Sequence, residues 1–144
     1  GKRVLDVGSG SGLVAIAAMK AGATRVTAAE IDTYGRAAIA LNAVANSVQV
    51  TVVSRDFTAG AVPAFDVIAA GDVFYERGLA ARMATFMERC TAAGVPVLIG
   101  DPGRQHLPTA RLRAIAEYAV PDVGDPPDDP TRRSTVYVPL PQEP

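Results

Sequence analysis

The sequence predicts an α/β domain built on a parallel sheet, and three observations carry that prediction. Short valine-rich runs alternate with longer alanine- and leucine-rich stretches, the order expected of βαβ units. A glycine turn, Gly8-Ser9-Gly10-Ser11-Gly12, joins the first such run to an apolar helical stretch. The 144 residues, 49% of them hydrophobic, suit one compact domain with a sizeable core.

The elements follow in order. The first strand is Arg3 to Val7, and beyond the glycine turn a helix runs from Leu13 to about Ala21. Gly22 stands where a helix stop belongs. The second strand is Arg25 to Glu30. A helix from about Tyr34 to Ala45 starts at Asp32 or Thr33 as N-cap and ends at Asn46. Val48 to Ser54 is the third strand, and Pro63 marks a turn before the fourth, Phe65 to Ala70. Leu79, Met83, Phe86, Met87 and Cys90 recur at helical spacing, which predicts an amphipathic helix from about Arg77 to Ala93 with these side chains in the core. Gly94 ends it. Val95 to Gly100 is the fifth strand; Leu112, Ile115, Ala116 and Ala119 mark a further helix. A short sixth strand is placed within Tyr118 to Val123 and a seventh at Thr135 to Leu140, separated by a proline- and acid-rich loop from Pro121 to Pro130.

Bulk properties narrow the function classes. The net charge is −1 with Lys and Arg scattered, against an affinity resting on nucleic-acid phosphates. No apolar run approaches the roughly 20 residues of a membrane span, and nothing in the first residues leads us to expect a signal peptide. Cys90 is the single cysteine, so no internal disulfide forms, and a reducing, cytoplasmic setting is the default expectation.

Ligands of such sheets bind beyond the carboxyl ends of the strands, where the glycine turn lies. Its glycines permit unusual backbone angles and close approach of a ligand to the main chain. Glu30, at the end of the second strand, can accept hydrogen bonds from both hydroxyls of a ribose. Asp56 follows the third strand, where it can meet an adenine amino group, with Phe57 beside the base. A dinucleotide fingerprint reads G-x-G-x-x-G and faces pyrophosphate. Here the spacing is G-x-G-x-G, and Asp6 precedes Gly8 by two positions. A carboxylate there opposes pyrophosphate and suits the ammonium of a methionine moiety. The residues therefore favour S-adenosylmethionine over a dinucleotide; a fold of this kind without cofactor is the remaining alternative.

The run Val4 to Ala23, VLDVGSGSGLVAIAAMKAGA, resembles motif I of class I S-adenosylmethionine-dependent methyltransferases, and Val26 to Asp32, VTAAEID, resembles the motif after it. GDVFYE at Gly71 to Glu76 and LIGDPGR at Leu98 to Arg104 are similar to the lysine methyltransferases of the electron transfer flavoprotein β-subunit. The resemblance covers nearly the whole chain. It implies a Rossmann-like three-layer sandwich whose seven-stranded, mostly parallel sheet ends in an antiparallel strand. The cofactor side would comprise Asp6, Gly8, Ser9, Gly10, Gly12, Glu30, Asp56, Phe57 and Gly71, with no metal. The expected organisation is one methyltransferase catalytic core over residues 1–144, lacking the segment that family members carry before the first strand. The implied reaction is methyl transfer to a protein lysine, with the electron transfer flavoprotein β-subunit as the indicated partner. N-methylation of a small, nicotinamide-like amine and a non-catalytic cofactor-binding fragment are the alternatives. The Asn-Pro-Pro-Tyr or Asp-Pro-Pro-Tyr motif of amide and nucleobase methyltransferases is absent.

The same resemblance matches Asp72-Val73-Phe74-Tyr75 to an acidic-x-x-Tyr motif and makes Asp72 and Tyr75 the candidate catalytic residues. Neutralising a lysine at pH 7, from a reference near 10.4, costs about 4.6 kcal/mol. Asp72 would orient the amine but favours its charged form, while the sulfonium and desolvation by Phe74 and Tyr75 oppose this. The competing structural reading has Asp72 capping the next helix and Tyr75 packing on it. His106, the single histidine, is not expected in catalysis, and Asp101 and Arg104 are expected to pair and hold their loop. Asp122, Asp125, Asp128 and Asp129 would overhang the substrate mouth and draw in a lysine-bearing partner, or serve as a solvated connector.

Overall fold

The computed structural model describes residues 1–120 and 133–141. Along the chain run β1 (Arg3–Val7), α1 (Leu13–Lys20), β2 (Arg25–Ala29), α2 (Thr33–Ala45), β3 (Thr51–Val53), β4 (Val67–Gly71), α3 (Arg77–Ala92), β5 (Val97–Asp101), β6 (Leu112–Ala119) and β7 (Arg133–Pro139). The strands form one sheet in the order β3-β2-β1-β4-β5-β7-β6. Neighbours from β3 across to β5 are parallel. β7 is antiparallel to both β5 and β6, as the family resemblance implies. Chain order reverses between β1 and β4, so the loops leaving these strands diverge and open a crevice at the carboxyl edge.

Alternation along the central strands sends side chains to two cores. Val4, Val26, Ala28 and Ala69 pack with Ala15 of α1 and Ile39 of α2 on one face. Leu5, Ile68 and Ile99 pack with Met83, Phe86, Met87 and Cys90 of α3 on the other. Each large side chain so buried contributes about 1.5–3 kcal/mol, and the α3 stripe alone places four of them under the sheet. Local signals set the helix ends. Asp32 caps α2 by accepting from the Gly35 N–H at 2.7 Å. Glu76 caps α3, accepting from Gly78 and Leu79. Gly22 takes φ +89° just after α1, a left-handed value that a side chain would strain.

One predicted helix is a strand. Leu112, Ile115, Ala116 and Ala119 mimic a helical stripe, yet 112–119 is β6, paired along its length with β7. An irregularity between Ala114 and Ala116 inserts Ile115 as an extra residue, which breaks the two-residue alternation that marks a strand. The sixth strand thus starts at Leu112 rather than Tyr118. The third strand is shorter than expected, Thr51–Val53, and only a 3-10 turn, Thr109–Arg111, lies between β5 and β6. That end of the sheet consequently leaves Leu98, Ile115 and Tyr118 exposed. The acidic-loop residues Asp122, Asp125, Asp128 and Asp129, with Pro121 and Val123, lie outside the described residues. Among the described residues no helix is long and apolar enough to cross a membrane, and no cluster of side chains could hold a metal ion.

Candidate functional site

A cavity of about 980 Å³ opens at the carboxyl edge where β1 and β4 diverge. It is lined on one side by the glycine turn and Glu30, on another by Asp56 and Phe57, and on a third by Gly71, Asp72 and Tyr75. Of the sequence-predicted site residues, Gly12 alone is not in this lining. It takes φ +89° as the N-cap of α1, and a Cβ there would meet Ile39 at 3.2 Å. Gly8 also has positive φ, +68°, and its missing Cβ would lie 3.1 Å from Val73 Cγ1. A side chain at Gly8 would thus be strained by its φ and would press Val73 back by a few tenths of an ångström.

Asp6 sits beneath the turn, 1% exposed. Its Oδ2 accepts from the Ser9 hydroxyl at 2.5 Å and from the Ala15 N–H at 3.1 Å. Oδ1 is buried without a partner among the described residues. Burial pushes the Asp6 carboxyl up to about 6, with the Ser9 and Ala15 hydrogen bonds pulling the other way. A buried, unpaired carboxylate oxygen is costly, and a cationic amine delivered into the cavity would relieve it.

Glu30 braces the turn from its other end. Oε2 accepts from the Gly10 N–H and Oε1 from the Asp32 N–H, both at 2.8 Å. Each oxygen keeps a second lone pair for a ligand hydroxyl. Gly35 makes room for this side chain, since a Cβ there would fall 2.7 Å from Glu30 Cγ. Sequence reasoning missed Gly35, because the crowding arises only when α2 docks beside the turn.

The 54–66 loop supplies the opposite wall. Asp56 Oδ1 accepts from the Thr58 hydroxyl at 2.6 Å and the Thr58 N–H at 2.8 Å. The Thr58 hydroxyl holds the Asp56 carboxyl below the usual range, leaving Oδ2 for a donor such as an exocyclic amine. Phe57 is buried, edge-on to Phe65, with the Arg55 guanidinium 4.6 Å from its ring centre. Arg89 of α3 donates to the Thr58 carbonyl at 2.7 Å and anchors the loop from behind. The donors, the acceptors and the orphaned Asp6 oxygen fit a ribonucleoside bearing a cationic amine.

Beyond β4 the competing structural reading of Asp72 and Tyr75 fails, and two expectations, for Phe74 and for Asp101 with Arg104, are corrected. Asp72 does not cap α3; Glu76 does. Tyr75 is exposed rather than packed on the helix, whereas Phe74 is fully buried in the core and lines no part of the cavity. Phe74 therefore cannot desolvate an acceptor. The expected Asp101–Arg104 ion pair is also replaced. Buried Asp101 accepts from the Gly103 and Arg104 N–H groups, each at 2.7 Å. The Arg104 guanidinium instead grips Asp72 in a bidentate pair, Nε to Oδ1 at 2.6 Å and Nη2 to Oδ2 at 2.7 Å. No local sequence signal marks a partner 32 positions away. Asp72 holds φ +53°, an uncommon conformation for a non-glycine residue that recurs at functional sites.

Comparison with known proteins places this geometry in context. The family model described as "Ribosomal protein L11 methyltransferase (PrmA)" matches residues 1–73. The electron transfer flavoprotein beta subunit lysine methyltransferase of Rattus norvegicus is 38% identical over 128 residues, 85% of this chain and 50% of that protein. The chain thus spans about half the length of the curated relatives it matches. Among solved structures, the ribosomal protein L11 methylase of Lactobacillus delbrueckii superposes with a TM-score of 0.62 at 20% identity, covering 96% of this chain and 69% of that one. The Pyrococcus abyssi tRNA (uracil-54, C5)-methyltransferase, in complex with S-adenosyl-L-homocysteine, gives 0.68 at 16% identity, covering 97% and 34%. At these identities the superpositions establish a shared fold.

Proposed function

The chain belongs to the family of the ribosomal protein L11 methyltransferase (PrmA), and from that premise we propose that it transfers the methyl group of S-adenosylmethionine to a lysine amine of a protein. The observation that carries the proposal is one continuous cavity running from the glycine turn to Asp72 and Tyr75. The lysine acceptor is supported by the similarity to the flavoprotein β-subunit lysine methyltransferases, and that subunit is the proposed partner. Residues 1–144 are proposed to form the catalytic core.

When bound, S-adenosylmethionine supplies an electrophilic methyl on a positively charged sulfur. The residues of the chain bind and align. Asp6 Oδ1 would receive the amino acid ammonium, Glu30 the ribose hydroxyls and Asp56 the adenine amine, with Phe57 against the ring. Gly8, Ser9, Gly10 and Gly71 would form the cradle, and Gly12 its support. Asp72 and Tyr75 would orient the incoming amine toward the methyl, and such alignment can supply roughly 7–11 kcal/mol.

The test is label transfer. The protein is incubated with tritiated S-adenosylmethionine and purified electron transfer flavoprotein, then with a small-molecule pool including nicotinamide. Label on lysine of the flavoprotein β-subunit is the expected outcome. Label confined to small molecules would overturn the protein acceptor, and no label in either would overturn the enzymatic reading.

A further inference from the structure

The Asp72–Arg104 pair bears directly on how a lysine could react here. We infer that Arg104 is a positioning residue of the transfer: it locks the Asp72 carboxylate in place and offsets its charge, so that an incoming lysine ammonium can release its proton. This inference rests on the lysine reading above.

The geometry is built from the backbone outward. Asp101 is 1% exposed and fixes the turn after β5 through two N–H bonds, one of them from Arg104 itself. The guanidinium then reaches across the β4–β5 carboxyl edge and occupies both Asp72 oxygens. Asp72 is pinned from its own main chain, donating its N–H to the Gly100 carbonyl at 2.8 Å. Both Asp72 and Arg104 line the cavity. Both Asp72 oxygens are thus held by the one guanidinium, in a pair whose side chains stay about half exposed to solvent.

The electrostatic consequence follows from sign. A lone carboxylate beside an ammonium holds the proton on nitrogen, whereas a guanidinium–carboxylate pair has no net charge. The other charged groups around the cavity do not replace Arg104. Asp6 and Glu30 are at the glycine turn, and Arg55 and Asp56 are on the 54–66 loop. Arg82 lies on α3 and Arg133 on β7, where Arg133 is engaged by Glu117. Tyr75 follows Asp72, and Glu76 is committed to the α3 cap, with His106 acting on it from a distance. Among the described residues, the contact made to the Asp72 carboxylate is that of Arg104.

The balance of the step is simple. The ammonium gives one proton to solvent through the open mouth. The freed lone pair forms the N–C bond as the S–C bond breaks, and the electrons of that bond remain on sulfur. The product nitrogen is a protonated methylamine, and the sulfur becomes a neutral thioether.

The experiment is a pH profile of kcat/KM, from pH 7 to 10, on electron transfer flavoprotein with labelled S-adenosylmethionine. In Arg104→Gln the acid limb moves up by about one pH unit, so the rate at pH 7 falls roughly tenfold and recovers in alkali. In Asp72→Asn the limb moves the opposite way, because the negative charge that holds the proton on nitrogen is removed, even though the maximal rate drops. This second variant carries the test should Arg104→Gln fail to fold. A pH-independent loss in Arg104→Gln, or limbs unmoved in both variants, would overturn the inference and leave the pair a structural tie. Loss of cofactor affinity in Arg104→Gln by calorimetry would equally overturn it. A parent enzyme that labels no lysine removes the lysine reading and this inference together, an outcome distinct from the others.

Discussion

Replacing Asp6 by Asn separates folding from binding in a single substitution. Asp6 is 1% exposed, and burial pushes its carboxyl up to about 6 from an ordinary 3.8. Below pH 4 the group is protonated in both native and unfolded chains and contributes nothing to the difference. Between pH 4 and 6 the unfolded chain releases the proton while the native one keeps it. The unfolded state then binds fewer protons, so native stability falls as pH rises. Above pH 6 the penalty is complete and constant. A rise of about two units corresponds to about 3 kcal/mol at 1.36 kcal/mol per unit. Asn keeps a carbonyl oxygen able to accept from Ser9 and Ala15 and removes the titration. The cofactor-free Asp6→Asn protein is therefore expected to lack the fall of about 3 kcal/mol that the parent undergoes between pH 4 and 7, on top of a pH-independent offset from its buried amide. Urea unfolding at intervals from pH 4 to 8 gives the comparison directly. The same variant should bind S-adenosylmethionine more weakly, since the ammonium loses its counter-charge. Parallel stability curves for parent and variant across this range would refute the assignment of a buried, titrating Asp6.

Three further outcomes follow from the same geometry. Gly35→Ala forces a Cβ to 2.7 Å from Glu30 Cγ, so Glu30 must shift and cofactor affinity should fall by about 1–3 kcal/mol, the range for a hydrogen bond to a charged group; unchanged affinity by calorimetry would remove Glu30 from the ribose site. Asp72→Asn should lower turnover while sparing cofactor affinity, if Asp72 orients the acceptor as proposed; a parallel loss of both would make Asp72 a cofactor ligand. Cys90 is fully buried and burial pushes its thiol up to about 11, so native protein should react with a thiol reagent at pH 8 only as fast as it opens, and rapid labelling would contradict its place on the buried face of α3.

Legibility in the sequence tracked how local each determinant was. β1, the glycine turn, α1, β2 and the start of α2 were readable because glycine spacing, short valine runs and the Asp32 cap act over a few residues. The α3 stripe from Leu79 to Cys90 was readable because one period governs it throughout. β6 was misread because Ala, Leu and Glu favour helices, and an extra residue at Ile115 interrupts the strand alternation. Pairing with β7, remote in sequence, decides the outcome there. Phe74 and Tyr75 are adjacent and alike in composition, so only the path of the chain after β4 sends one to the core and the other to the surface. Asp101 and Arg104 looked like partners because they are three positions apart. The fold instead gives the carboxylate to backbone N–H groups and the guanidinium to Asp72. Which groups meet across loops was beyond the reach of spacing.

The strand order also dictates a timetable for synthesis. Among the described strands β6 hydrogen-bonds only to β7, and β7 alone joins it to β5. While the chain leaves the ribosome, β1 to β5 can close their parallel sheet, but β6 emerges with no edge to join. Domains assemble as units during translation, and here β6 must wait for β7 to slide in between. Until then β5 is an open edge, able to recruit a foreign strand. Ser134 of β7 also belongs to the cavity wall. The pocket is therefore completed by the last of the described strands to arrive, and a nascent chain halted before Arg133 would carry the glycine turn without this wall of the site.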